Sequence, residues 1–217
     1  MRIMGQEDQY AIPFRTIRIS RALGHMTKKI SMSLILILIG VACYAQKDIN
    51  VVKWTMSETQ FELKVFSDYE MDVARPNTEI ILFRNGQEII KDSISIYNGY
   101  FENRFEDMNS DGFNDILIYQ GSGARANETY NLYIYQANTN DFKKVIAFNE
   151  YPNISPTDEK GVLVSMILTG VVDYKFFFLK DNGELIDLRI TVIDENRDGK
   201  EYEKGLKEAK KYVAQNL

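Results

Sequence analysis

Hard oxygen donors fall at alternating positions in Asp107-Met108-Asn109-Ser110-Asp111-Gly112-Phe113-Asn114-Asp115. Asp107, Asn109, Asp111 and Asp115 take loop positions 1, 3, 5 and 9, Gly112 takes position 6, and the Phe113 carbonyl falls at position 7. A calcium ion needs roughly six to eight oxygens at about 2.3–2.6 Å, and alternating side chains in a tight coil aim them inward. Gly112 permits the sharp turn. The chemistry expected here is calcium coordination in a structural role, because nothing nearby is built to activate a water. Magnesium fits less well, since it prefers octahedral geometry and retained waters. The competing reading is an acidic turn whose Asp and Asn side chains bond their own backbone. Position 12 is Ile118, where an EF-hand loop carries a bidentate Glu, so the loop leads into a strand and is no half of an EF-hand pair.

A second, partial set of donors is Asp194, Asn196 and Asp198, followed by Gly199. Position 9 of that loop is Tyr202 and position 12 is Gly205, so two ligands are lacking, and a plain helix-entry turn competes with a metal site. Between the two loops lies a small-residue segment over 121–129, in which Ser122, Gly123, Ala124 and Arg125 form a candidate partner-binding loop. Loops on rigid sheets are where recognition concentrates, although a bland connection competes here too.

Enzymatic chemistry has little to work with. The chain holds one histidine, His25, and one cysteine, Cys43, both in the N-terminal segment. A Ser-His-Asp triad, a Cys-His pair and ordinary zinc ligation are therefore not expected of the remainder. A carboxylate-driven glycosidase using Glu102, Glu106 or Asp107 ranks last, because that reaction needs a defined carboxyl separation. The expected class is a binding protein, with no catalytic residues.

Residues 32–43 form an unbroken run of mostly apolar side chains behind Lys28 and Lys29, which predicts a signal peptide over residues 26–45. The run is short of the roughly 20 residues a membrane-spanning helix needs. Residues 1–25 look like a non-native extension ahead of Met26. Two processing routes remain open: cleavage after Ala45, releasing a soluble protein, or acylation of Cys43 at a lipobox-like Gly40-Val41-Ala42-Cys43. The expected location is the periplasm or the exterior, with lipid anchoring in the envelope as the alternative. Of the 26 basic and 31 acidic residues, 20 and 29 lie from Gln46 onward, a net charge of −9. Such a chain, without a basic patch, is not expected to bind nucleic acid.

Short runs rich in Val, Ile, Tyr and Phe, separated by Gly, Asn and Asp, must position these loops. They predict strands near 49–55, 61–67, 78–84, 87–96, 100–105, 115–120, 130–136, 143–149, 162–168, 173–180 and 184–193. Asn85-Gly86 and Asn182-Gly183 predict tight hairpins in which both residues take positive φ. The strands around Tyr130–Tyr135 and Phe176–Phe178 are apolar on both faces, which predicts cover on both sides. Tyr202, Leu206, Ala209 and Val213 recur at helical spacing and predict an amphipathic helix over 201–215, weakened by Gly205. The expected fold over residues 46–217 is all-β, an antiparallel propeller-like or sandwich-like domain with one C-terminal α-helix.

The stretch from Asp107 to Tyr135, with its calcium-type loop and its GSGARANETY segment, resembles calcium-binding envelope proteins of the lysozyme-inhibitor-like, immunity-protein kind. That resemblance implies a β fold that pushes a loop into the cleft of a secreted peptidoglycan hydrolase. Related inhibitors carry a Ser-Gly-x-x-Tyr loop; Ser122-Gly123 match its start, whereas the fifth position is Ala126. The partner so implied is a lysozyme-like hydrolase, and the net charge of −9 would steer the chain toward a basic one. A cell-surface adhesion or glycan-binding module with a structural calcium loop is the alternative.

Overall fold

Strict alternation of buried and outward side chains along Phe61, Leu63 and Val65, and again along Thr78, Ile80 and Leu82, gives each segment one core face. Asn85 and Gly86 both adopt left-handed φ, 49° and 81°, and close the hairpin between these segments and the next strand, as their types demand. The computed structural model describes residues 48–68, 75–97 and 99–217. Within them run β1 (Asp48–Met56), β2 (Thr59–Ser67), β3 (Thr78–Arg84), β4 (Gln87–Ile94), β5 (Asn103–Glu106), β6 (Asp115–Ser122), β7 (Glu128–Gln136), β8 (Asp141–Lys144), β9 (Ile154–Pro156), β10 (Val162–Leu168), β11 (Val172–Leu179), β12 (Leu185–Asp194) and the helix α1 (Lys200–Asn216). The signal-peptide run, Cys43 and both processing sites lie outside the described residues.

Each set of four consecutive strands pairs as one antiparallel meander, in the orders β1-β2-β3-β4, β5-β6-β7-β8 and β9-β10-β11-β12. This is the strand plan of a propeller blade, used three times among the described residues. The cores show how the blades stack. One apolar cluster joins Phe61, Leu63, Ile80 and Leu82 of the first sheet to Ile116, Ile118, Tyr133 and Tyr135 of the second. A second joins Leu117, Tyr119, Leu132 and Ile134 to Leu163, Phe177 and Leu179 of the third. A third lies between the outer face of the third sheet and Leu206 and Ala209 of α1. The layers thus run sheet, sheet, sheet, helix, and the middle sheet is covered on both faces. That explains why β6 and β7 read as continuous apolar runs. A polar tie reinforces the first junction: the Tyr133 hydroxyl donates to Asp92 at 2.7 Å and Lys144 pairs with the same carboxylate at 2.6 Å. Burial pushes Asp92 up, but the bonds from Lys144 and Tyr133 outweigh it and hold its pKa below the ordinary value.

Several expectations change in the structure. β4 stops at Ile94 because the Asn77 side chain takes over the ladder, accepting from the Ile96 N–H at 2.9 Å and donating to its carbonyl at 2.8 Å. β8 stops at Lys144: Ala147 turns left-handed, at φ 63°, into a 3-10 turn over Phe148–Glu150. At Asn182-Gly183 only Gly183 takes positive φ, 82°; its N–H returns to the Lys180 carbonyl at 2.9 Å, a turn followed by a glycine bulge. The short β9 was not expected. Gly205, read as a weakness of α1, permits the docking of that helix, because a Cβ there would lie 2.5 Å from the Phe176 ring.

Candidate functional site

The loop between β5 and β6 is wound by its own acidic side chains. Asp107 accepts from the backbone N–H of Asp111 at 3.0 Å and of Gly112 at 2.9 Å, one on each carboxylate oxygen. Asn109 Oδ1 accepts from Asp111 N–H at 3.3 Å, and Asp111 Oδ1 accepts from Phe113 N–H at 2.9 Å. The Asn109 amide also donates to Asp111 Oδ2 at 3.0 Å. Ser110 and Gly112 sit at positive φ, 58° and 94°, which lets these bonds form within one coil. Asp107, Asn109 and Asp111 are thereby gathered, and each of their oxygens that takes one N–H keeps a further lone pair.

Asp115 stands apart from that group. It is fully buried, and its two oxygens accept from Met108 N–H at 2.9 Å and Tyr135 N–H at 2.8 Å. It therefore ties the loop to β7. Burial pushes its carboxyl up; the two N–H groups oppose that, the nearby Asp111 and Asp107 charges add to it, and the pKa lies at about 7. The Phe113 ring packs against Tyr135 with centroids 5.1 Å apart, which fixes the backbone whose carbonyl is the position-7 donor. Among the described residues, no three His, Cys, Asp or Glu side chains converge as a metal cage. The oxygens brought together here are those of two carboxylates and one amide.

The loop between β12 and α1 repeats the winding. Asp194 accepts from Asp198 N–H at 3.4 Å and from Gly199 N–H at 2.8 Å, and Asp198 accepts from Lys200 N–H at 3.1 Å. Arg197 and Gly199 are left-handed, at φ 56° and 79°, where Ser110 and Gly112 are in the first loop. Two features differ. The Lys200 ammonium lies 2.5 Å from Asp198, so the loop supplies its own cation. Position 9 is Tyr202, whose ring packs on Tyr174 and Phe176.

The segment at 121–129 is tighter than a long loop. β6 extends to Ser122 and pairs it with Glu128, leaving residues 123–127 as the connection. Ser122 donates to the neighbouring Gly123 carbonyl at 3.2 Å. Ala124, Arg125 and Ala126 form one turn in which Arg125 and Ala126 have φ 63° and 58°. Asn127 pins that turn to the third sheet: its amide donates to the Leu168 carbonyl at 3.0 Å and accepts from Leu168 N–H at 2.9 Å. Arg125 is exposed at the tip. A groove of about 490 Å³ opens beside it, lined by Arg125, Leu168, Gly170, Val171, Val172 and Arg197. Arg197, Gly170 and Asn127 carried no signal in the sequence, because only the docking of three separate turns gathers them.

No helix of the described residues is long and apolar enough to cross a membrane. Compared with protein-family models, with curated proteins and with solved structures, the chain has no match.

Proposed function

We propose that this chain is an exported calcium-binding protein that acts as a binding module, with a lysozyme-like peptidoglycan hydrolase as its partner. The observation that carries this reading is the path from the acidic loop to the hairpin: residues 107–115 run directly into β6, and β6 ends at the pinned turn that holds Arg125 outward. An ion held by Asp107, Asn109, Asp111 and the Phe113 carbonyl fixes the start of the strand whose other end presents the contact residues. Hard oxygen donors of this kind suit calcium. An exposed guanidinium on a rigid tip suits a cleft lined by carboxylates, as hydrolase clefts of this chemistry are. The net charge of −9 from Gln46 onward favours approach to a basic partner.

The test is a muramidase assay on a panel of chicken-type, invertebrate-type and phage-type lysozymes with the purified protein, in calcium and in EDTA, beside Asp111→Ala and Arg125→Ala. Inhibition that needs calcium and is lost in both variants is the expected result. No inhibition of any lysozyme overturns the choice of partner. The second reading, a glycan-binding or adhesion module, rests on Tyr97 and Tyr100, which are 47% and 49% exposed. Tyr100 stacks on Tyr119 at 5.7 Å while half-exposed, a platform for a sugar ring. A glycan array with hits lost in Tyr100→Ala selects this reading.

A further inference from the structure

The groove beside the hairpin concentrates unpaired positive charge in an acidic domain. Arg125 comes from the β6–β7 turn and Arg197 from the β12–α1 loop, and both line the same space. Gly170, in the β10–β11 turn, brings them together: Arg197 donates to its carbonyl, and a Cβ on it would lie 2.9 Å from Arg125 Nη1. Gly170 also has φ 123°, a region that side-chain-bearing residues avoid. Neither arginine forms an ion pair with a carboxylate among the described residues, and no acidic side chain lines the groove. The nearest acid in the Arg197 loop by sequence, Asp198, is occupied by Lys200. Both arginines sit at left-handed φ, a conformation that a residue with a Cβ adopts only at a cost. The remaining walls, Leu168, Val171 and Val172, are apolar and half-buried to buried.

Two guanidinium forks over an apolar floor match one ligand chemistry, a planar or tetrahedral oxyanion on an apolar stem. We infer that this groove binds a small amphiphilic anion, its carboxylate or phosphate head between Arg125 and Arg197 and its aliphatic stem against Leu168, Val171 and Val172. The site shares Arg125 with the proposed hydrolase contact but does not need a hydrolase. Its test uses small molecules alone, so failure here and failure in the muramidase assay are separate results.

The experiment is a backbone amide NMR titration of the whole protein with hexanoate and with hexyl phosphate, beside acetate and inorganic phosphate as heads without stems. Saturable shifts at residues 125, 168–172 and 197 are expected for at least one stemmed anion. A stem that buries about two of its methylenes should bind at least tenfold tighter than the bare head, at roughly 0.8 kcal/mol per buried methylene. Arg125→Gln and Arg197→Gln should each weaken binding about tenfold, the usual effect of losing a charge-assisted bond. Circular dichroism melts of both variants should match the parent, since neither side chain is part of the core. Shifts for hexanoate alone identify a carboxylate ligand, and shifts for hexyl phosphate alone a phosphate ligand; either supports the site. No saturable shift with any probe, shifts that survive the double variant, or bare heads binding as tightly as stemmed ones would each overturn it.

Discussion

The loops at 107–113 and 194–200 wind through matching hydrogen bonds, yet one opens into a buried strand and the other into a surface helix. In each, the first Asp takes the N–H groups at positions 5 and 6, the second Asp takes the N–H at position 7, and positions 4 and 6 are left-handed. The pattern Asp-x-Asn-x-Asp-Gly thus sets its own conformation, indifferent to the element it leads into. The residues beyond position 6 decide the chemistry. Asp115 places a buried carboxylate beneath the first loop, whereas the second ends on an aromatic ring and carries Lys200 against Asp198. The first is an uncompensated cluster of negative charge; in the second, Asp198 already has a cation in Lys200.

The largest consequence of that contrast is a pH dependence carried by the buried Asp115 at the end of the first loop. Asp115 releases its proton near 3.8 in an unfolded chain and at about 7 in the folded one. Between those values the folded state holds the extra proton, so calcium-free stability should fall as pH rises from about 4 to 7, by on the order of 4 kcal/mol. Urea denaturation in EDTA at pH 4 and pH 8 measures this, and Asp115→Asn should flatten the slope. An unchanged slope in that variant would mean that another group carries it. Saturating calcium should also reduce the slope, because the ion favours the ionised carboxylate cluster.

The proposed calcium binding gives the next prediction. At about a hundredfold excess over its dissociation constant, calcium should stabilise the protein by about 2.7 kcal/mol. Thermal melts with and without calcium should show the gain in the parent and in Asp198→Ala, and none in Asp111→Ala. Lys200→Ala, which removes the internal cation from the second loop, should add a second, weaker calcium response. Equal loss in Asp111→Ala and Asp198→Ala would erase the distinction between the loops.

The smallest effect concerns position 12. Ile118 fills the core after the first loop, while Gly205 lets Phe176 and Val192 approach α1 after the second. Gly205→Ala should destabilise by about 2 kcal/mol through overpacking, against a gain of about 1 kcal/mol in helix propensity. A rise in melting temperature would show that the Phe176 ring yields.

The sheet was legible wherever local pattern and tertiary burial agree. β3 and β10 run over 78–84 and 162–168 as the β-branched runs predict, and Asn85-Gly86 makes the turn its residues prefer. β9 escaped notice because three residues ending in proline carry no periodicity. The end of β8 escaped because Val145 and Phe148 are buried and apolar yet not in a strand, so hydrophobicity alone misled. In the candidate site, Asp107, Asn109 and Asp111 are neighbours in the chain, and their convergence could be read directly. The inward turn of Asp115 could not, since it depends on an N–H of β7 twenty residues away. The meeting of Arg125 with Arg197 was beyond any local reading, because it passes through Gly170 on a third turn.

The three meanders, stacked in chain order, also set how the molecule can assemble. Each sheet is closed by a contiguous stretch, 48–94, 103–144 and 154–194, so strand pairing never waits for a distant segment. Short sequence separation between partners means fast search. A chain emerging from its N-terminal side can complete one sheet before the next is available and then use its apolar face as the template for its successor. The helix follows the third sheet in the chain and covers the face that this sheet leaves outward.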